Sequence, residues 1–294
     1  MTSNNHLNLE SILIVGTVRD CAHVVEKSVA KLESAFLGVK SVFWLIVESD
    51  SDDDTVDILK KIQNNNENFE YISLGRLADK IKSRPDRIGY CRQVYAEAIV
   101  KNKKYDNLDY VVVSDLDDVN CDLTPAAIKS CWSSSIEWDA VFANQPGGYY
   151  DLWALRHPNW MPSDPFSAYD WLVQHGVRHY LAYGATISSK TLKIEKDTDW
   201  IPVKSAFGGL GIYKKKMFSE SSYIDNSHRD ASWRRRCEHV IFNTKLTKQG
   251  FQLYINPNLV NTYKSTHVRN IKLKYWLLRL LGVRLFSIIK ERFF

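Results

Sequence analysis

Short apolar runs closed by turn residues alternate with helically spaced stretches through the first half of the chain. Ser11-Ile-Leu-Ile-Val15 ends at Gly16 and predicts a buried strand. Val25, Val29, Leu32 and Phe36 follow at intervals of four, three and four, a helical period. Val42 to Val47 predicts a second buried strand, and Val56, Leu59 and Ile62 mark the helix after it. Tyr71 to Leu74 predicts a third strand, Ile88 to Val100 a helix, and Tyr110 to Val113 another buried strand. Strands that are apolar throughout and alternate with helices belong to a parallel, doubly wound α/β sheet. In such sheets ligands gather at the carboxyl ends of the strands. Beyond Ala140-Val-Phe-Ala143, a further strand, the next sixty residues are rich in aromatic residues and turn formers. The β/α pattern resumes near Ile201 and runs to Asn261. The expectation is one domain over residues 1–267, with a ligand-binding half at about 8–140 and a half at 141–267 that completes the site.

Charge changes this picture only at the C-terminal end. The net charge is +5, but residues 268–294 carry seven Lys/Arg and one acid, leaving 32 basic against 33 acidic groups elsewhere. No general nucleic-acid surface is expected, and nucleic acid is not a predicted partner. The 268–294 stretch places Arg269, Lys272, Arg279 and Lys290 on one side of a helix and Leu273, Leu277, Leu281, Leu285 and Ile288 on the other. It is too interrupted to span a bilayer, but as a basic amphipathic helix it could lie on an anionic surface or pack on the core. The N-terminal residues are polar and lack the apolar core of a signal peptide. Five scattered cysteines without a Cys-x-x-Cys pair read as free thiols of a reducing compartment. A cytoplasmic protein, peripheral on the cytoplasmic membrane face, is therefore expected.

Chemistry concentrates at strand ends. Val111-Val-Val-Ser-Asp115-Leu-Asp117-Asp118 ends a buried strand in carboxylates at i and i+2, which point to one side. Hard oxygen ligands so placed suit Mn²⁺ or Mg²⁺ gripping a diphosphate, whereas a solvated turn would leave them idle. Glu48-Ser-Asp-Ser-Asp-Asp-Asp-Thr55 also follows a buried strand. There Glu48 could accept from a base or ribose, while Asp54 or Thr55 sits near the next helix's N-cap. Arg19, Arg84, Arg87 and Arg92 could serve phosphate, although each alone could equally be a surface ion pair. Gly208, Gly209 and Gly211 form a cluster where backbone could approach a ligand, or an ordinary turn. Glu238 opens a helical stretch, and His267 follows a late strand.

This order of parts resembles the GT-A glycosyltransferase core, with its Rossmann-like, doubly wound, mostly parallel sheet. Three stretches resemble the fungal capsule-associated α-1,3-mannosyltransferase family more closely. They are Trp138-Asp-Ala140 with Tyr149-Tyr-Asp-Leu-Trp-Ala-Leu-Arg156, Pro202-Val-Lys-Ser-Ala-Phe-Gly-Gly209, and Cys237-Glu238 through Gly250-Phe-Gln-Leu-Tyr-Ile-Asn-Pro257. The chain departs from that family at Phe207-Gly208, where Trp-Asn is usual, and at His157, where Asp follows the Arg. No N-terminal anchor of the family's kind is expected. The resemblance implies Asp115, Asp117 and His267 as holders of metal and diphosphate. Arg19, Arg87 and Arg92 would be donor-binding cations, and Glu48 the first acid of the Asp-Asp-Gly-Ser-x-Asp-Gly-Thr turn. Gly208 and Gly209 would face the donor. Asp151 and Arg156 would position sugar or acceptor, and Glu238 would face the acceptor hydroxyl.

The implied activity is metal-dependent transfer of a hexose from a GDP- or UDP-sugar to a glycan or lipid-linked glycan, in capsule, O-antigen or other surface polysaccharide synthesis. The family relation adds a retaining mannosyl transfer. A nucleotidyltransferase shares the acidic strand end, but Gly16-Thr-Val-Arg19 is too poor for its phosphate loop. A non-catalytic glycan-binding module would explain the aromatic residues but not the Asp-x-Asp turn.

Overall fold

A computed structural model of the chain describes residues 11–225 and 237–263. The 268–294 stretch and His267 therefore lie outside the described residues.

Eight strands form one sheet in the order β3-β2-β1-β4-β7-β5-β8-β6. Strands β1 (Ser11–Val18), β2 (Ser41–Glu48), β3 (Phe69–Ser73) and β4 (Tyr110–Ser114) run parallel. β7 (Leu210–Lys214) lies antiparallel between β4 and β5 (Ala140–Asn144). β8 (Leu253–Val260) is parallel to β5, and the two-residue β6 (Ile201–Pro202) pairs antiparallel with it. The sheet is thus the mostly parallel, doubly wound α/β architecture that the alternating pattern predicts, and it runs through both halves of the chain.

Helices cover both faces. α1 (Val25–Ala35), α2 (Thr55–Asn65) and α4 (Pro125–Lys129) enclose one core with Ile12, Ile14, Trp44 and Val112. α3 (Arg84–Lys101), α7 (Met217–Glu220) and α8 (Glu238–Lys248) enclose the other with Leu13, Val15, Val111 and Val113. Alternate residues of one strand thus feed opposite cores, which is why β1 and β4 read as apolar without interruption.

Two boundaries differ from the sequence reading in ways that matter for the site. β1 continues through Gly16, because a Cβ there would sit 2.6 Å from the Ser114 carbonyl of β4; glycine lets the two strands close up. α3 begins four residues before Ile88, at Arg84. Ser83 caps it by accepting from the Asp86 N–H, and Pro85 fits the first turn. The early start brings Arg84, Arg87, Cys91 and Arg92 onto one helical face.

A pair of helices, α5 (Pro165–Gln174) and α6 (His179–Thr186), is inserted between β5 and β6. Periodicity did not separate them from the surrounding aromatic-rich stretch.

Candidate active site

The strand order reverses between β1 and β4: the chain winds outward from β1 to β3, then returns to the other side of β1. A cleft of about 330 Å³ opens at the carboxyl ends of these two strands. Thr17, Val18 and Arg19 enter from β1, and Asp115 and Asp117 from β4. α3 supplies the wall with Arg84, Arg87 and Arg92, while Tyr150, Asp151 and Glu238 close the far side.

Arg92 is the hub. Its side chain is 4% exposed, donating from Nε to Glu238 Oε1 at 3.0 Å and from Nη2 to Asp115 Oδ1 at 3.2 Å. Nη1 donates to the Tyr95 hydroxyl at 3.3 Å, and the guanidinium lies 5.2 Å from the Phe207 ring centroid. Burial opposes its charge, but Tyr95, Glu238 and Asp115 more than offset that cost. Arginine suits the position because its rigid planar fork spreads five N–H donors over three nitrogens, whereas an ammonium offers three donors from a single point.

Burial pushes the Asp115 carboxyl up to about 7; Arg92 opposes the rise, while Asp117 and Asp151 add to it. Burial also raises Asp151, against the N–H groups of Gly208 and Ala154 that donate to it at 3.0 and 3.2 Å. Asp117 is exposed and makes no hydrogen bond or ion pair among the described residues. Three carboxylates crowding one corner is the arrangement that a divalent cation relieves.

Among the described residues, no three His, Cys, Asp or Glu side chains group closely enough to hold a metal unaided. Asp115 and Asp117 nevertheless fit a hard cation whose remaining ligands are phosphate oxygens, the usual manner of Mg²⁺ at such sites.

The other predicted residues divide between the cleft and its supports. Arg19 lines the cleft with its side chain half exposed and Nε on Asp20. Arg87 lines it while bonding the Ile81 and Lys82 carbonyls and pairing with Asp50 at 3.3 Å. Glu48 stands apart from the cleft. It is 1% exposed, with Oε1 accepting from the Ser51 N–H at 2.9 Å and Oε2 from the Ser73 hydroxyl at 2.5 Å. Arg156 does not line the cleft either: it bonds the Trp153 and Leu155 carbonyls and pairs with Asp164.

Gly208 and Gly209 approach protein instead of open space. At φ +69° and +85° they turn the chain where a Cβ would meet Gln145 Nε2 at 2.9 Å or Val119 Cγ1 at 2.7 Å. The Gly209 carbonyl accepts from the Asp115 N–H at 3.0 Å, so the glycine turn sets the position of the acidic one.

Three elements of the site escaped the sequence reading. Asp50 takes φ +61°, with one carboxylate oxygen on the Ala78 N–H at 2.7 Å and the other toward Arg87. It occupies the place where the resembling turn has glycine, and that mismatch was its signal. His239 stacks on Phe207 at 3.8 Å, and burial, helped by Arg92, pushes its imidazole well below the usual histidine range. Lastly, Asn120, Gln145 and Asn261 form a buried amide network. Gln145 and Asn261 donate to the Gly208 carbonyl at 2.9 and 2.8 Å, and Asn120 donates to the carbonyls of Asp115 and Gly209. Gln145 and Asn261 each stand one residue past a strand.

No protein-family model matches the chain, and no curated protein matches it. Solved structures do. A mannosyltransferase, PcManGT from Pyrobaculum calidifontis in complex with GDP-Man and Mn²⁺, is 11% identical over 96% of this chain and 64% of its own, with a TM-score of 0.48. S. aureus TarS 1-349 in complex with UDP-GlcNAc is 11% identical over 88% of this chain and 60% of its own, at 0.45. Glucosyl-3-phosphoglycerate synthase from Mycobacterium tuberculosis, in complex with Mn²⁺, UDP and phosphoglyceric acid, is 11% identical over 92% and 78%, at 0.44. The chain thus spans less than two thirds of the length of the first two.

Proposed function

We propose that this chain is a GT-A-type glycosyltransferase that moves a hexose from a nucleotide-diphospho-sugar to a hydroxyl of a glycan or lipid-linked glycan. One observation carries the reading. Asp115 and Asp117 follow β4 directly at the sheet's reversal point, and a buried arginine joins Asp115 to Glu238 across the cleft.

The residues divide the work by position. Asp50 and Arg87, deep beside α3, face the nucleoside end, a role the sequence had given to Glu48. Arg19 and Arg84 meet phosphate from the rim, where their forks match its oxygens. Asp115 and Asp117 would hold Mn²⁺ or Mg²⁺, with His267 as a further candidate ligand. Such a cation neutralises the charge that develops on a departing diphosphate. Arg92 holds Asp115 and Glu238 apart at fixed positions, and Asp151, braced by the Gly208 and Ala154 N–H groups, faces the sugar.

Glu238 serves the acceptor. It begins α8, and Arg92 fixes its orientation. If the product's anomeric centre is inverted, Glu238 takes the acceptor proton; if it is retained, Glu238 anchors the acceptor hydroxyl. The tail at 268–294, with its +6 balance, holds the enzyme beside a membrane-linked acceptor on the cytoplasmic face.

Thermal unfolding with UDP, GDP, CDP and their sugars, each with and without Mn²⁺, tests the reading. A ligand at a hundredfold excess over its Kd adds about 2.7 kcal/mol. Stabilisation by one nucleotide that depends on Mn²⁺ and disappears in Asp117→Ala is expected, and it names the donor base. No stabilisation by any nucleotide overturns the proposal.

A further inference from the structure

The α5–α6 hairpin is apolar in composition yet has almost no core of its own. Only Pro165 in α5 and Ala182 in α6 are buried, against six residues in α3 and five in α8. Trp171 is 58% exposed, and Leu181 and Leu192 are each 48% exposed. These are three of the seven large hydrophobic residues exposed among the described residues.

Apart from Asp170 within α5, the charge over the hairpin and its exit is one-sided. From Trp171 to Ile194 there is no Asp or Glu, while Arg178, Lys190 and Lys193 are cationic and His175 and His179 add two imidazoles. Acids resume on either side, at Asp170 and Glu195. None of the three cations forms an ion pair among the described residues. Bare tryptophan and leucine interleaved with cations, and cleared of carboxylates, complement an anionic lipid interface. Rings and aliphatic chains enter the headgroup boundary while the cations meet phosphate.

The hairpin is also fastened to the cleft. Asp164 caps α5 by accepting from the N–H groups of Phe166 and Ser167, and the same carboxylate pairs with buried Arg156. Phe166 lies 5.0 Å, ring to ring, from Trp153, which lines the cleft. What Arg156 positions is therefore this hairpin.

We propose that the α5–α6 hairpin and its exit through Leu192 form an anionic-lipid docking surface that sets the cleft mouth against the bilayer. This contact is distinct from the 268–294 tail. It rests on the transferase reading only for what it delivers, a lipid-linked acceptor; the contact itself stands without it.

Co-sedimentation of the full chain with phosphatidylcholine vesicles, alone or mixed with phosphatidylglycerol, tests the surface. Two variants are compared with wild type: Trp171→Ser with Leu181→Ser, and Arg178→Glu with Lys190→Glu and Lys193→Glu. Thermal unfolding checks that each is folded. Wild type is expected to prefer the mixed vesicles, and the triple charge reversal to lower its partitioning about a hundredfold, near 1 kcal/mol per cation. The apolar pair should weaken binding to both compositions. Vesicles with brominated acyl chains should quench wild-type fluorescence more than that of Trp171→Phe, which reports insertion directly. Equal binding by wild type and both variants, or equal quenching of wild type and Trp171→Phe, overturns the proposal. Either outcome is separate from the nucleotide experiment, because no hairpin residue tested lies in the cleft.

Discussion

Two acidic turns, after β2 and after β4, look alike in sequence and are used in opposite ways. In the first, nearly every carboxylate is taken by its own surroundings. Glu48 holds Ser51 and Ser73, Asp50 holds Ala78 and Arg87, and Asp53 holds Thr55 and Ala22. In the second, Asp115 has Arg92 and nothing else for its side chain, and Asp117 has no partner among the described residues. A carboxylate that its own loop satisfies is a structural part. Asp115, which burial raises even with Arg92 beside it, and the exposed Asp117 next to it leave carboxylate oxygens that a further positive charge can take. α3 ties the two turns together, since Arg87 reaches the first and Arg92 the second.

The largest test removes that link on the second side. Arg92→Met takes the cation from the nearly buried Glu238 and the partly exposed Asp115, and breaking one partner from a buried pair costs about 3–5 kcal/mol. Urea unfolding should show that loss; a cost below about 1 kcal/mol would mean that Arg92 does not organise the site.

Next comes a crossed pair of substitutions. Asp117→Ala should leave the stability of the ligand-free protein within about 0.5 kcal/mol of wild type, because the side chain is exposed and unpartnered. It should nevertheless lose all Mn²⁺-dependent stabilisation by nucleotide. Glu48→Ala should do the reverse, costing about 2 kcal/mol by leaving the Ser51 N–H and Ser73 hydroxyl unanswered, with nucleotide stabilisation intact. If Glu48→Ala abolishes nucleotide binding at unchanged stability, the contrast between the turns fails.

The sequence could announce both turns but not tell them apart, and the reason is physical. Apolar runs revealed β1, β2 and β4, since strands buried on both faces have no alternation to blur them. Asp115 and Asp117 were legible because they stand next to such a strand. The partners that silence Glu48 were not, because Ser73 reaches it from the end of another strand and its hydroxyl carries no special signal. The pairing of Arg156 was hidden for the same reason: Asp164 lies eight residues away in a stretch without periodicity. The amide network of Asn120, Gln145 and Asn261 joins residues more than a hundred positions apart, and nothing local marks them.

The smallest effect concerns Asp53, one of the residues that tie the first turn to the loop after β1. Asp54 occupies the N-cap position of α2 without a side-chain bond, and Asp53 does the capping from one residue earlier. Its Oδ1 accepts from the Thr55 N–H at 3.0 Å, and its Oδ2 accepts from the Ala22 N–H at 3.0 Å. Partial burial works against the charge, but these N–H groups and the Thr55 hydroxyl outweigh it, holding the carboxyl below its ordinary 3.8. Asp53→Ala should cost about 1 kcal/mol, the usual value of a lost cap, with nucleotide stabilisation unchanged. The sign of the pH dependence follows from the depressed value. Its stabilisation is present in full above pH 3.8 and is lost as the pH falls through the lower folded-state value. The difference between wild type and Asp53→Ala in urea unfolding should therefore hold constant from neutral pH to about pH 5 and then narrow in acid. A difference that instead widens in acid would mean that Asp53 bonds better when protonated, and that the first turn does not satisfy its own charge.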